Sequence, residues 1–253
     1  NVLALKGHEA AKNAFYQGLS EFDTHIAYMQ ATRHNEYQLP YGNIIAQNQN
    51  AAVLHYQHMQ RHQLPKSELK TFLIDAGCDL QYYAADITRT FPANGRFSEA
   101  QKALYDIVHA AHSAAIDAVR PGVAWHIPHE VSVRVITEGL ISLGLIKGSV
   151  DEAIKSGAYT AFYMHRVGHW LGMDVHDVGD YKIAGQWREL EVGMVMTIEP
   201  GIYVAADNLE IDEKWRGIGI RIEDDIAVTK SGCEVLTEGL PTSAFEIEEF
   251  MAD

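Results

Sequence analysis

Apolar positions along the chain recur at two different periods, and the switch between them divides it into helical and strand-like stretches. Residues 8–18, from His8 through Ala11, Ala14 and Phe15 to Gly18, read as a helix that stops at its glycine. Ser20-Glu21-Phe22-Asp23 places a capping serine and acidic first-turn residues ahead of Ile26-Ala27-Tyr28-Met29, which predicts a second helix. Pro40-Tyr41-Gly42 marks a turn, and residues 44–53 read as strand and loop ending at Leu54-His55-Tyr56. Residues 70–75 and 82–90 read as two strands joined by a short turn. Paired as an antiparallel hairpin, they are expected to set Asp75 and Asp86 facing each other. Ser98-Glu99-Ala100-Gln101 is a capping box for a helix that ends at Arg120-Pro121-Gly122, and a further helix is expected over 129–143.

The last third alternates with period two. In residues 194–199, Val195, Thr197 and Glu199 share one face. In residues 219–226, Arg221 and Glu223 fall on one face and Ile220, Ile222 and Ile226 on the other. The whole reads as α+β, a mainly antiparallel sheet covered by helices. No linker, low-complexity stretch or repeat divides it, so 1–253 is expected to form a single domain.

Composition narrows the possible partners. A formal net charge of −14 argues against nucleic acid and anionic membranes. No apolar run reaches the roughly 20 residues of a membrane span. Two distant cysteines, Cys78 and Cys233, fit a reducing cytoplasm better than a disulfide framework. The chain does not start with Met, and the expectation is that an upstream domain is not part of it.

Candidate chemistry sits inside the apolar stretches. Asp75, Asp86, His169, Glu199 and Glu223 each lie in strand-like sequence, where carboxylates are costly unless paired or metal-bound. Four converging carboxylates with one imidazole suit divalent cations. The oxygen-rich set favours Mn(II), with Co(II) and Zn(II) as alternatives. Bridging carboxylates would hold two metals, activate a water and polarise a carbonyl, which predicts metal-assisted hydrolysis of an amide or ester. His165, His169 and His176 crowd one glycine-containing segment; spacing does not say which of them is the ligand.

Five motifs carry a resemblance: Asp75-Ala76-Gly77; Asp86-Ile87-Thr88-Arg89-Thr90-Phe91; Gly168-His169-Trp170-Leu171-Gly172 with Val175-His176-Asp177; Thr197-Ile198-Glu199-Pro200-Gly201; and Gly219-Ile220-Arg221-Ile222-Glu223-Asp224. Together, and in this order, the chain resembles the proline-specific dinuclear metallopeptidases of the M24 family, prolidase (Xaa-Pro dipeptidase) and aminopeptidase P. The resemblance implies the pita-bread fold, a pseudo-twofold, curved, mainly antiparallel sheet covered by helices. It implies Asp75, Asp86, His169, Glu199 and Glu223 as ligands of two metal ions, with Asp86 and Glu223 bridging. Glu199 would be the general base for a metal-bridging hydroxide. His165 and His176 would bond substrate and transition state, His55 would line the pocket, and Arg221 would support the site or a substrate carboxylate. It further implies small peptide substrates with proline at position two, a homodimer, a cytoplasmic setting and an N-terminal domain that is absent from this chain. One departure is Arg166, following His165 where relatives commonly carry glycine.

Prolidase is the first expectation, because residues 31–56 look nearer to bacterial prolidases. The alternative is aminopeptidase P, to which Lys214-Trp215-Arg216-Gly217-Ile218-Gly219-Ile220 and the short connection 203–221 look nearer. Methionine aminopeptidase and a non-catalytic binding protein are less favoured, the latter because no ligand is lost. Plainer readings are expected elsewhere. Cys78 is taken as a small buried or turn thiol and Met194 and Met196 as core. His25, His34, His58 and His62 are taken as surface or loop residues.

Overall fold

The computed structural model describes residues 1–252. Helices α1 (Val2–Tyr16) and α2 (Glu21–Thr32) pack together ahead of strand β1 (Ile44–Gln47). Then follow β2 (Thr71–Asp75), β3 (Asp79–Leu80), β4 (Tyr83–Ala84) and β5 (Thr88–Pro92). A second helical pair, α3 (Glu99–Ala118) and α4 (Ile127–Ser142), and the short α5 (Val150–Ser156) come next. The chain continues through β6 (Lys182–Ile183), β7 (Gln186–Trp187), β8 (Val195–Ile198), β9 (Gly201–Tyr203), β10 (Gly219–Arg221), β11 (Asp224–Thr229) and β12 (Gly232–Val235) to α6 (Ala244–Ala252). Each helical pair thus precedes a three-stranded antiparallel sheet, ordered β1-β2-β5 in the first half and β12-β11-β8 in the second. This repetition is the expected α+β pita-bread architecture.

The first helix begins six residues before the expected start. Val2-Leu3-Ala4-Leu5 extends the helical pattern, and Gly7 does not break it. A side chain at Gly7 would meet the Tyr28 ring at 2.4 Å, so glycine is what lets α1 lie close on α2. The capping boxes at Ser98 and Ser149 explain the starts of α3 and α5.

The hairpin forms, but its register corrects the expected facing of Asp75 and Asp86. Asp75 pairs with Thr88, Asp79 with Ala84 and Leu80 with Tyr83. The tight turn places Gln81 and Tyr82 both at positive φ. Counting along that ladder, Asp86 falls opposite Gly77. The two aspartates therefore share a face as diagonal neighbours instead of standing directly across from each other.

A second registration matters as much. Ile198 pairs with Asp224 and Gly201 with Arg221. Glu199 and Glu223 consequently fall opposite each other, in the irregular link where β8 passes into β9 and β10 into β11. An isolated bridge from Thr88 to Glu223 joins the first sheet to this link. Thr90 accepts from the Arg221 amide at 3.2 Å and returns a bond to its carbonyl at 3.1 Å.

The main core stacks Phe15 on Phe72 at 4.6 Å and Phe72 on Phe91 at 6.1 Å, between the helices and the sheet. A second cluster gathers Trp125, Val167, Trp170, Met196, Ile198 and Ile226. Met196 is core as expected, and Trp170 packs there. Cys78 is buried with Ala4, Ala85, Ile87 and Leu240. His25 departs from expectation, being buried on α2 against Glu36 at 2.8 Å, whereas His34 is a loop residue as expected and reaches the Asp79 carbonyl at 2.7 Å.

Glu21, read only as a first-turn acid, is fully buried. Its carboxylate accepts from the Gln47 amide, the Asn50 amide group, the Tyr56 hydroxyl and the Gln60 amide, each at 2.7 Å. It thereby ties α2 to the segment that presents Leu54 and His55. A Glu21→Gln variant replaces one acceptor oxygen with a donor and strands Tyr56 and the Gln60 amide. It is expected to lose about 1–3 kcal/mol of stability, read as a lower denaturant midpoint.

Candidate metal centre

The five candidate ligands come from both halves of the fold. Asp75 ends β2, and Asp86 lies between β4 and β5. Glu199 follows β8, and Glu223 sits between β10 and β11. His169 is on an extended segment laid along β8. The Thr197 amide donates to the His169 carbonyl at 3.0 Å, and the His169 amide donates to the Thr197 hydroxyl at 3.1 Å. Gly168 permits this approach, because a Cβ there would lie 1.9 Å from the Thr197 carbonyl oxygen.

Ligand atoms of Asp86, His169 and Glu223 lie within 4.8 Å of one another, and all three side chains are buried. His169 Nε2 stands 3.5 Å from both Asp86 and Glu199. Asp75 gives one oxygen to Arg221 Nη2 at 2.7 Å, and its other oxygen is buried without a partner. An acceptor held bare in such a place suits a cation, and the oxygen-rich donor set with one imidazole suits a hard or borderline divalent ion.

Electrostatics agree with the geometry. Burial, and then the charge of Asp75, push Asp86 well above the usual carboxylate range, against the Tyr41 hydroxyl and Arg221. Burial, then Asp86 and Glu199, do the same to Glu223. Burial raises Glu199 to about 7, opposed by His169 and assisted by Asp86. Arg221 is itself buried. Desolvation opposes its charge, but Tyr203, Asp75 and Glu223 hold it firmly protonated. Its Nε donates to Thr88, whose hydroxyl donates to Glu223, so one cation steadies two acids.

The histidines differ in placement. His165 bonds the Tyr203 hydroxyl at 2.9 Å and the Arg166 carbonyl at 2.8 Å, with its Nδ1 3.7 Å from Glu199. Burial and then Arg221 lower its pKa to about 3, so it is neutral. His176 is exposed and stacks on His169 at 3.9 Å between ring centroids. His55 is also exposed. Both line the same cavity of about 390 Å³ as Asp75, His165, His169, Glu199 and Arg221. That is the size of a small-peptide site.

Several residues of this centre were not singled out in sequence. Tyr41 was read as part of a turn, yet its hydroxyl donates to Asp86. Tyr203 bridges His165 and Arg221. Asp225, fully buried, accepts from the Asp86 amide at 3.2 Å. Its position two residues after Glu223 in the alternation was the available signal. Behind the ligands, Arg89 donates to Asp224 at 2.7 Å and to the Glu223 carbonyl at 2.7 Å. Burial works against the Asp224 carboxylate, but Arg89, His112 and Thr237 outweigh it and keep the group ionised.

Fold and site define a pita-bread protein with a buried acidic centre. The chain belongs to metallopeptidase family M24, whose model matches residues 1–230. It is 43% identical over 245 residues to the Xaa-Pro aminopeptidase of Haemophilus influenzae, covering 90% of this chain and 56% of that protein. It is 37% identical over 268 residues to the Xaa-Pro dipeptidase of Aeromonas hydrophila, covering 94% and 60%. The structure of Pseudomonas aeruginosa aminopeptidase PepP superposes with a TM-score of 0.91 at 50% identity, covering 99% of this chain and 58% of that one. The chain spans little more than half the length of these relatives. No helix among the described residues is long and apolar enough to cross a membrane.

The acid cluster sets the pH dependence of metal binding. Without metal, Glu199 titrates near 7 in the folded chain against 4.5 in the unfolded one. Its protonation supplies stability that is present below 4.5 and lost as pH rises through 7. A divalent ion must displace that proton, so metal-induced stabilisation is expected to be larger at pH 8 than at pH 6. At a hundredfold excess over Kd it amounts to about 2.7 kcal/mol, or roughly 5–10 °C. Thermal melts with Mn(II) and with chelator at both pH values read the difference.

Proposed function

We propose that residues 1–253 act as a catalytic domain that hydrolyses the peptide bond preceding proline, at the N-terminus of short peptides, with Asp75, Asp86, His169, Glu199 and Glu223 as the ligands of two divalent ions. The observation that carries this reading is the convergence of buried carboxylates and one imidazole at the end of an open cavity. The family supports the reaction class, and the named activities of the relatives support proline specificity. Mn(II) is the proposed metal, on the strength of the oxygen-rich donor set. When bound, the ions would supply Lewis-acid polarisation of the scissile carbonyl and water made acidic enough to attack it.

The chain's own residues do the rest. The free amine of the substrate approaches the ligand set in the cavity. Glu199, beside His169 in the cavity, takes a proton from the attacking water and passes it to the proline nitrogen as the bond breaks. Neutral His165, held by Tyr203 and the Arg166 carbonyl, and exposed His176 present ring nitrogens to the substrate carbonyl. His176 stabilises the developing oxyanion. Arg221 keeps Asp75 ionised and in place, and His55 forms the opposite wall.

Within this class we favour an aminopeptidase, because Trp125, His129 and Trp187 line the same cavity as the acids and offer surface for residues after proline. A dipeptidase is the second reading, supported by the prolidase-like segment 31–56 and by the identity with the Aeromonas dipeptidase.

Metal-loaded protein is expected to cleave an Xaa-Pro-Yaa tripeptide faster than an Xaa-Pro dipeptide, and neither once chelated. A dipeptide-only profile would move the assignment to prolidase, and inactivity on both would reject the proposal for this chain. Glu199→Gln is expected to lower turnover about 10²–10⁴-fold, and near-normal rates would remove its assigned role. His176→Ala is expected to lower kcat rather than raise KM, since its bond is made in the transition state.

A further inference from the structure

The cavity is chemically mixed. Asp75 and Glu199 line it beside the buried acids Asp86 and Glu223, and Trp125, Trp187, His129 and Arg166 line it as well. Arg166 directly follows His165, and its exposed side chain lines this space. Among the described residues no carboxylate forms an ion pair with it, in a chain with 34 acidic residues against 20 Lys and Arg. Its guanidinium carbon stands 6.0 Å from the centre of the Trp187 ring, the outer limit of a cation–π contact, while Lys182 Nζ lies closer to that ring at 4.1 Å, so the indole leaves the guanidinium free. Neighbouring His129 is half-buried and held neutral, first by burial and then by the charge of Arg166, so it does not compete for an anion.

A short peptide is itself two-ended, with an ammonium at one terminus and a carboxylate at the other. If the ammonium lies against the acids, the chain beyond proline runs toward Trp187 and Arg166. We propose that Arg166 is a specificity-determining residue: its guanidinium, backed by Trp187, receives a carboxylate carried by the part of the peptide that follows proline. Arginine suits this by presenting a planar fork of donors to the carboxylate. The proposal rests on the peptidase reading for the direction of the substrate. It adds what that reading leaves open, a preference for acidic over neutral peptide tails. The carboxylate could be the peptide's C-terminus or an Asp or Glu side chain, and the experiment separates the two.

The test compares free-acid and amide forms of one Xaa-Pro-Yaa tripeptide, and an Xaa-Pro-Asp-amide with its Asn counterpart, on Mn(II)-loaded wild type, Arg166→Gly, Arg166→Lys and Arg166→Glu. Wild type is expected to favour the carboxylate partner about five- to tenfold, through KM with kcat little changed and more strongly at low salt. Arg166→Gly should equalise the partners, Arg166→Lys should keep part of the preference, and Arg166→Glu should reverse it. A preference in the first pair assigns the C-terminus, and one in the second pair the side chain. Calorimetric binding of Pro-Yaa acid and amide, which cannot be cleaved before proline, should follow the same order. Hydrolysis with ratios unmoved by Arg166→Gly would overturn this inference and leave the peptidase reading standing. Arg166-dependent binding of the acid without hydrolysis of any Xaa-Pro peptide would overturn the peptidase reading and support the carboxylate site. Equal treatment by wild type of the partners in both pairs would overturn the inference outright.

Discussion

Four carboxylates, Asp75, Asp86, Glu199 and Glu223, are gathered around one buried guanidinium, that of Arg221. Like charges brought out of water repel strongly, and one arginine cannot neutralise four acids. The arrangement persists because the acids are placed by elements that are stable for other reasons. Thr88 shows how: its amide and carbonyl belong to the strand network, while its hydroxyl relays between Arg221 and Glu223. The residual negative charge must be met by protons or by divalent cations, which explains why burial drives several of these groups toward the protonated form.

The supporting layer repeats the same device with the balance reversed. On the far side of β11, Asp224 is buried against Arg89, His112 and Thr237, and there the pairing is complete enough to keep it ionised. Arg89 also holds the Glu223 carbonyl, so a fully satisfied ion pair fixes the backbone of an unsatisfied acid. Asp224 and Asp225 are adjacent in sequence and face opposite sides of one strand, one structural and one beside the centre. Glu21 performs a comparable service for the wall bearing His55, through four hydrogen bonds and no counter-ion.

Much of this was legible in the sequence because period-two alternation states which face a residue takes. Thr197 with Glu199, and Arg221 with Glu223, were assigned their faces that way, and their motif order pointed to the fold. What the pattern lacks is register across strands. The hairpin was readable, but whether Asp86 stood opposite Asp75 or two residues along depended on a turn at Gln81 and Tyr82, two residues without the usual glycine or asparagine signal. The face-to-face placement of Glu199 and Glu223 depended on a pairing some two dozen residues apart. Tyr41 and Glu21 were missed for a different reason. A tyrosine in a turn and an acid after an N-cap have ordinary local explanations, and their burial arises only when distant segments close over them. His25 was missed in the same way.

The polarity of the cavity follows from this distribution of satisfied and unsatisfied charge. The acids lie at the junction of the two sheets, because that is where strands from both halves of the pseudo-twofold break register and turn side chains inward. The aromatic wall is built separately, from α4's approach and the β6–β7 hairpin, with Trp125 against Tyr181 at 4.8 Å and His126 stacked on Trp187 at 5.2 Å. Its rings pack without needing any charge, so an arginine at its rim is free to face the cavity. A centre this acidic repels anions, whereas the aromatic wall bears the cation of Arg166, so one cavity offers both signs of charge.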